Sequence, residues 1–233
     1  MELHKVHVTI LDTLRRQATA RYSVLRSHTD LESDSFKFYL RKLVSRGYVE
    51  KLESGEYGLT RDGKEFANSL DTAQQAALKQ PKLSLLMVAA RSDDSGSLRY
   101  LVQQRARSPF RGYWGFLSGP MQWGEAPEDT AAREFLKQTG LTAKFRVKAF
   151  YRQQDIKTED GTLVRDRLFV VLEAYRLKGE LSNEWGGGEN HWLTRTELRG
   201  KEKYFTSCKD VISLLISGNA YKTGVAEVSN DEY

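Results

Sequence analysis

Residues 119–141 read GPMQWGEAPEDTAAREFLKQTGL. Pro127 stands where a helix takes its first residue, Glu128 and Asp129 fall in the first turn near the positive end of the dipole, and Gly140 stands at the stop. The stretch therefore predicts a helix from about Pro127. On it Glu134, Lys137 and Gln138 lie at i, i+3 and i+4 and project from one face. One carboxylate, one ammonium and one neutral amide share that face, which sums to no net charge.

The neighbouring sequence predicts a sheet around this helix. KLSLLMVAAR and LRYLVQQRAR read as two strands joined by the polar turn SDDSGS, and SPFRGYWGFLSG reads as a loop rich in glycine and aromatics. LTAKFRVKAFYRQQDIK and TLVRDRLFVVLEAYRL read as strands flanking a Glu-Asp-Gly turn at 159–161. A last helix begins at about Ser207. Strand, helix, strands and helix in this order predict a mixed sheet between helices.

WGFLSGPMQWGE followed by REFLKQTGL resembles the Nudix signature, G-x5-E-x7-R-E-U-x-E-E-x-G-U with U aliphatic or aromatic. Gly119, Glu125, Arg133, Glu134, Phe135, Gly140 and Leu141 match it. The resemblance spans roughly 82–218 and implies an α/β/α sandwich with a mixed sheet. It also implies a helix that holds Mg²⁺ or Mn²⁺ against a diphosphate, because three carboxylates on one face suit a hard cation that polarises the phosphoryl group and activates water. The departures fall on that chemistry. Lys137 and Gln138 stand where the family has two consecutive glutamates, and Leu117 and Ser118 stand where it commonly has Pro and Gly. A cation beside Lys137 would meet repulsion.

Such a face is suited to binding. Lys137 is a candidate to hold a phosphate directly, as are Arg105, Arg107 and Arg133, with Gly119 in the motif loop. If hydrolysis persists, Glu134 is the candidate base, with Glu125, Glu134 and Glu189 as metal ligands; Glu189 lies in GGGENHW, before a tryptophan. Tyr113 and Trp114 either stack on a base or fill the core, and core filling is the more common fate.

Before residue 80 the texture is helical. Val6, Ile10, Leu11 and Leu14 make the stripe of a first helix, YSVLRSH a short second, and a third begins near Ser33 or Asp34 with Phe36, Leu40, Leu43 and Val44 inward. Gly47 stops it, VEKLESGEYGLT reads as a two-stranded hairpin, and RDGKEFANSL opens a fourth helix. AQQAALKQ suggests one more helical segment, ended by Pro81. The order, with the phrase LRKLVSRGYVEKLESGEYGLTRDGKEF, resembles a winged helix-turn-helix domain over roughly 3–75. The resemblance implies that the third helix enters the major groove of double-stranded DNA, with Ser35, Lys37, Arg41, Lys42 and Arg46 on the DNA side. Against this, residues 1–80 carry 13 basic and 11 acidic residues, and a row of Lys and Arg is most often a solvated helix face.

The expected organisation is a winged helix-turn-helix over 1–79, a Nudix-like domain over 80–220 and a C-terminal tail over 221–233. Composition fits a globular protein, with 39% hydrophobic and 29% charged residues and a formal net charge of +5. Cys208 is the single cysteine, which excludes an intrachain disulfide and a Cys-based zinc cluster. The longest apolar run, LSLLMVAA, is too short for a bilayer. No signal peptide is visible, and a cytoplasmic location is expected. The two halves together read as a ligand-sensing DNA-binding regulator, dimeric because such regulators read two half-sites. Its ligand is nucleotide-like and needs no certain cofactor. The alternative is an active hydrolase of nucleoside diphosphates linked to another moiety, with a nonstandard Mg²⁺ or Mn²⁺ site.

Overall fold

The computed structural model describes residues 4–71, 76–77 and 79–229. The chain divides into two compact units, Met1–Lys79 and Gln80–Tyr233.

In the first unit, helix α1 (Lys5–Gln17) starts where the His4 imidazole accepts the Val6 N–H at 3.3 Å. His7 closes the reciprocal half by accepting the His4 N–H at 3.3 Å. Strand β1 (Thr19–Ala20), helix α2 (Tyr22–Ser27), helix α3 (Ser33–Ser45), strands β2 (Val49–Lys51) and β3 (Tyr57–Leu59), and helix α4 (Arg61–Asn68) follow. Val6, Ile10, Leu11 and Leu14 of α1 meet Phe36, Leu40 and Leu43 of α3 in one core. Val44 was expected inward but is 39% exposed. Glu32, not Ser33 or Asp34, is the residue before α3, and its side chain makes no capping bond.

Gly47 takes φ +73° just past α3, a conformation that favours glycine. The hairpin is joined by a strand not anticipated: β1 pairs β3, giving the antiparallel order β1-β3-β2. Thr60 caps α4 by accepting the Gly63 N–H at 3.0 Å. Strands β4 (Leu70–Asp71) and β5 (Ala76–Ala77) pair with each other. Ala76 and Ala77 therefore do not belong to the helical segment expected over AQQAALKQ; residues 73–75 and 78 of that segment lie outside the described residues.

The second unit is mixed α/β. Its strands are β6 (Lys82–Val88), β7 (Ala90–Ser92), β8 (Leu98–Arg105), β9 (Trp114–Gly115), β10 (Leu117–Pro120), β11 (Thr142–Lys157), β12 (Leu163–Lys178), β13 (Glu184–Trp185), β14 (Gly188–Thr194) and β15 (Tyr221–Val228). Its helices are α5 (Pro127–Thr139), α6 (Arg195–Arg199) and α7 (Ser207–Ser217). One sheet has the order β10-β6-β12-β11-β15, with β6 parallel to β12 and β15 parallel to β11. The other has the order β13-β14-β8-β7, with β9 on β8.

The run LSLLMV explains the layering. Leu85 and Met87 point into a core shared with Ala131 and Phe135 of α5, while Leu86 and Val88 point into a core shared with Val211, Ile212 and Leu214 of α7. A strand covered on both faces reads as a continuous apolar run.

Two expectations are corrected. The stretch SPFRGYWGFLSG is not wholly loop, because β9 and most of β10 arise within it. The segment expected as a tail from residue 221 is largely β15, which pairs with Phe150–Lys157 of β11. No helix among the described residues is long and apolar enough to cross a membrane.

Candidate functional site

Helix α5 runs as expected from Pro127 and ends at Gly140, whose φ of +73° closes it. Its polar residues divide between two environments. Glu134 is 7% exposed and Gln138 is 2% exposed, whereas Lys137 is exposed. The shared face inferred from spacing therefore splits: Glu134 and Gln138 turn inward and Lys137 turns to solvent. Gly119 on β10 backs this contact, since a Cβ there would lie 3.1 Å from Glu134 Cγ.

Arg133 binds both acids. Its Nη1 donates to Glu134 Oε1 at 2.6 Å, and its Nε and Nη2 donate to Glu125 at 3.2 and 3.0 Å. The Thr130 hydroxyl donates to Glu125 Oε2 at 2.7 Å. The Arg133 guanidinium, followed by that hydroxyl, holds the Glu125 carboxyl below the usual carboxylate range.

The Gln138 amide nitrogen donates to the Ser118 carbonyl at 3.1 Å and to Glu134 Oε2 at 3.3 Å. The Gln138 backbone carbonyl accepts from Asn190 Nδ2 at 2.7 Å, and Gln103 Nε2 donates to Asn190 Oδ1 at 3.1 Å. This buried amide chain joins β8, β14 and α5. Sequence reasoning missed Asn190 and Gln103, because partners 52 and 87 residues apart leave no local signal.

This arrangement does not fit a divalent cation. Both Glu134 oxygens already accept from Arg133 and Gln138, and Glu125 is held by Arg133 and Thr130. Glu189 is exposed beside His191, at 3.5 Å. Among the described residues no group of three or more His, Cys, Asp or Glu side chains could hold a metal ion. Of the expected ligands, Glu125 and Glu134 meet at Arg133, and Glu189 does not complete a three-ligand group with them.

Next to this network lies a cavity. Gln103, a member of the amide chain, and Ser118, whose carbonyl accepts from Gln138, are in its wall. The rest of the wall includes Arg105 from β8, Gln153 and Asp155 from β11, Arg165 and Arg167 from β12, and Cys208 of α7. Phe110, Tyr113 and Phe205 add aromatic surface, with Phe205 centred 5.4 Å from Phe110 and 5.1 Å from Tyr113. Arg105 is half-buried and donates to the Pro109 carbonyl at 3.2 Å. Burial, then repulsion from Arg107, Arg165 and Arg167, lowers its pKa to about 10.

Arg107, the other arginine expected here, is outside this wall and lies over the Trp185 ring at 5.5 Å. Trp114 is core, 5.1 Å from the His191 ring. Arg165 and Arg167 were not anticipated. Their signal was the alternation in LVRDRLF, which puts both on one face of β12 while Asp166 turns away to Arg152.

In the first unit, Ser35, Lys37, Arg41, Lys42 and Arg46 are all exposed on or beside α3. They do not form a single row. Lys37 and Arg41 line a groove with Lys51 and Tyr57 of the hairpin, whereas Lys42 and Arg46 lie near enough to His7 to disfavour its charged form.

The NUDIX domain family matches residues 83–213, more than half of the chain. The chain belongs to this family. Solved structures similar to it include a MutT protein of Bacillus halodurans, 21% identical, with 65% of this chain and 93% of that chain covered at a TM-score of 0.51. The NUDIX domain of Shewanella oneidensis NrtR complexed with ADP ribose is 18% identical, covering 68% of this chain and 96% of that one at a TM-score of 0.48. A MutT NUDIX hydrolase of Burkholderia pseudomallei is 23% identical, covering 58% and 98% at a TM-score of 0.44. Likeness at such identities speaks to the fold alone. No curated protein matched the chain. Within the NUDIX frame, the helix that carries the signature here presents an arginine-clamped pair of acids and a buried amide.

Proposed function

We propose that this NUDIX protein is a ligand-sensing DNA-binding regulator whose second unit binds a nucleoside-diphosphate-type metabolite with little or no hydrolysis. The carrying observation is the Gln138 amide, which occupies Glu134 and Ser118 where a metal site would need a second carboxylate. The adjoining cavity offers cationic and aromatic groups to a phosphorylated ring.

The first unit supports the DNA side. Three helices, a hairpin and a fourth helix follow in winged helix-turn-helix order. Lys37 and Arg41 open on the groove between the third helix and the hairpin, where phosphates would be neutralised. Two half-sites would be read by a dimer.

Two measurements on the full chain test this. Product release is followed from a diphosphate panel that includes ADP-ribose, with Mg²⁺ and Mn²⁺, beside Glu134→Gln and a Lys137→Glu, Gln138→Glu pair. DNA binding is followed on a genomic fragment library across a salt series. The expectation is no turnover by the native chain and salt-sensitive DNA binding that shifts with the ligand. Turnover by the native chain that is lost in Glu134→Gln would establish the hydrolase alternative instead.

A further inference from the structure

Phe38, 58% exposed, is the most exposed large hydrophobic side chain among the described residues of the first unit. It lies on α3 two residues beyond Phe36, which is in the core. At about 100° per residue, that step sets it almost opposite the buried face. The ring is nonetheless held in place. Tyr39 meets it edge-on at 5.4 Å, Lys42 Nζ lies 5.2 Å from its centre, and Tyr39 is itself stacked on His4 at 4.5 Å.

Cations flank this ring on both sides. By helical phase Lys37 and Arg41 fall to one side of Phe38, and Lys42 and Arg46 to the other. Lys37 and Arg41 line the groove toward the hairpin, together with Lys51. Residues 35–49 hold these four bases and no acid. The nearby acids are Glu32 and Asp34 at the start of α3 and Glu50, Glu53 and Glu56 of the hairpin. Glu56 is engaged, accepting from the Thr19 hydroxyl at 2.8 Å and facing Arg21 at 3.8 Å.

An apolar ring between two cationic flanks has a complement in the DNA major groove. Its walls carry phosphates, and on its floor the thymine methyl is the apolar group. We propose that Phe38 contacts a thymine methyl there and is a specificity-determining residue of α3. The assignment deepens the DNA-binding reading given above and rests on it. The four bases set the helix between the phosphate walls, and those contacts carry no sequence information. Phe38 has no polar atom to offer a phosphate, so it acts through the base alone. Asp34, one turn before Phe38 on the same stripe, falls over base edges and away from the walls.

The test uses the full chain and a randomised duplex library. Duplexes retained by the native chain are remade with each thymine in turn replaced by deoxyuridine, which removes the methyl and keeps the pairing edge. At one thymine per half-site, replacement is expected to weaken binding about fourfold, the scale of one buried methyl group. In Phe38→Ala that penalty should vanish while the slope of log K against log salt stays unchanged. Phe38→Leu, which keeps an apolar contact, should retain part of the penalty. Arg46→Met should do the opposite of Phe38→Ala, lowering the slope by about 1 and keeping the penalty. Thermal unfolding checks that each variant folds.

The proposal is overturned if no thymine responds to deoxyuridine, or if Phe38→Ala keeps the native penalty. It is also overturned if Phe38→Ala dissociates a native dimer in sedimentation, which would assign the ring to a second copy of the chain. In each of these outcomes the native chain still binds duplex, and the DNA-binding reading stands. A native chain that retains no duplex removes that reading and this assignment with it.

Discussion

Gln138 donates its side-chain amide to the Ser118 carbonyl at 3.1 Å, joining α5 to β10. A carboxylate at the same position could not donate; it would set a charge against that carbonyl and against Glu134. Gln138→Glu alone is therefore expected to cost about 3 kcal/mol of stability, the scale of an uncompensated buried charge. Millimolar Mg²⁺ or Mn²⁺ should recover part of the loss, because a cation would then have two adjacent carboxylates to bridge. Thermal unfolding of both proteins with and without metal checks this. Equal stabilisation of the native chain by metal would refute the account of a closed amide network.

His7 gives a pH dependence to the first unit. It is 1% exposed and its pKa is lowered to about 4, by burial first and then by Lys42, His4 and Arg46. The folded pKa lies below the ordinary value, so the unfolded chain takes up the proton first as pH falls. Stability contributed by neutral His7 is complete above about pH 6.5 and is lost between there and pH 4, by roughly 3 kcal/mol in full. Denaturant titrations of the native chain and of His7→Gln at pH 7.5 and 5 measure it. The variant keeps an acceptor for the His4 N–H and should show a flatter pH slope.

Gly63, in the first turn of α4, lies against the backbone of Tyr48, between α3 and β2. A Cβ there would fall 1.8 Å from the Tyr48 carbonyl oxygen, which is backbone and cannot swing away. Gly63→Ala is expected to destabilise the first unit by 3 kcal/mol or more, on the order expected for strain in a packed core. Hydrogen exchange resolved by peptide should show lost protection in α1, α3 and α4, with α5 and its core unchanged. Uniform loss over both units would contradict the assignment.

Lys37 and Arg41 predict a specific salt dependence. If both neutralise phosphates, the double alanine variant should reduce the slope of log K against log salt by about 2. Affinity should fall by similar factors on all sequences, since phosphate contacts carry no sequence information. An unchanged slope would mean that the groove they line meets something other than DNA.

The legible parts of the fold were those with local signals. Pro127, the first-turn acids and Gly140 marked the two ends of α5. The apolar stripes of α1 and α3 marked the first core, apart from Val44. Strand β15 was not legible. Its burial is slight, only Val228 is buried, and its order comes from parallel pairing with β11 some 70 residues earlier. The site was legible as a departure from a pattern at Lys137 and Gln138, yet spacing alone placed both on one face. Tertiary packing separates them: Gln138 is drawn in by Ser118 and Asn190 to neighbouring groups, while Lys137, one residue away on the helix, remains in water.

Cys208, the single thiol, forms part of the cavity wall at 3% exposure. Burial raises its pKa to about 12, so almost none of it is thiolate at neutral pH. The molecule thus carries its own alkylation clock. Iodoacetamide labelling at neutral pH should proceed at the rate of opening around α7, and a compound seated in the cavity should slow it in proportion to occupancy. A thiol that reacts as fast as free cysteine would show that this wall does not stay shut.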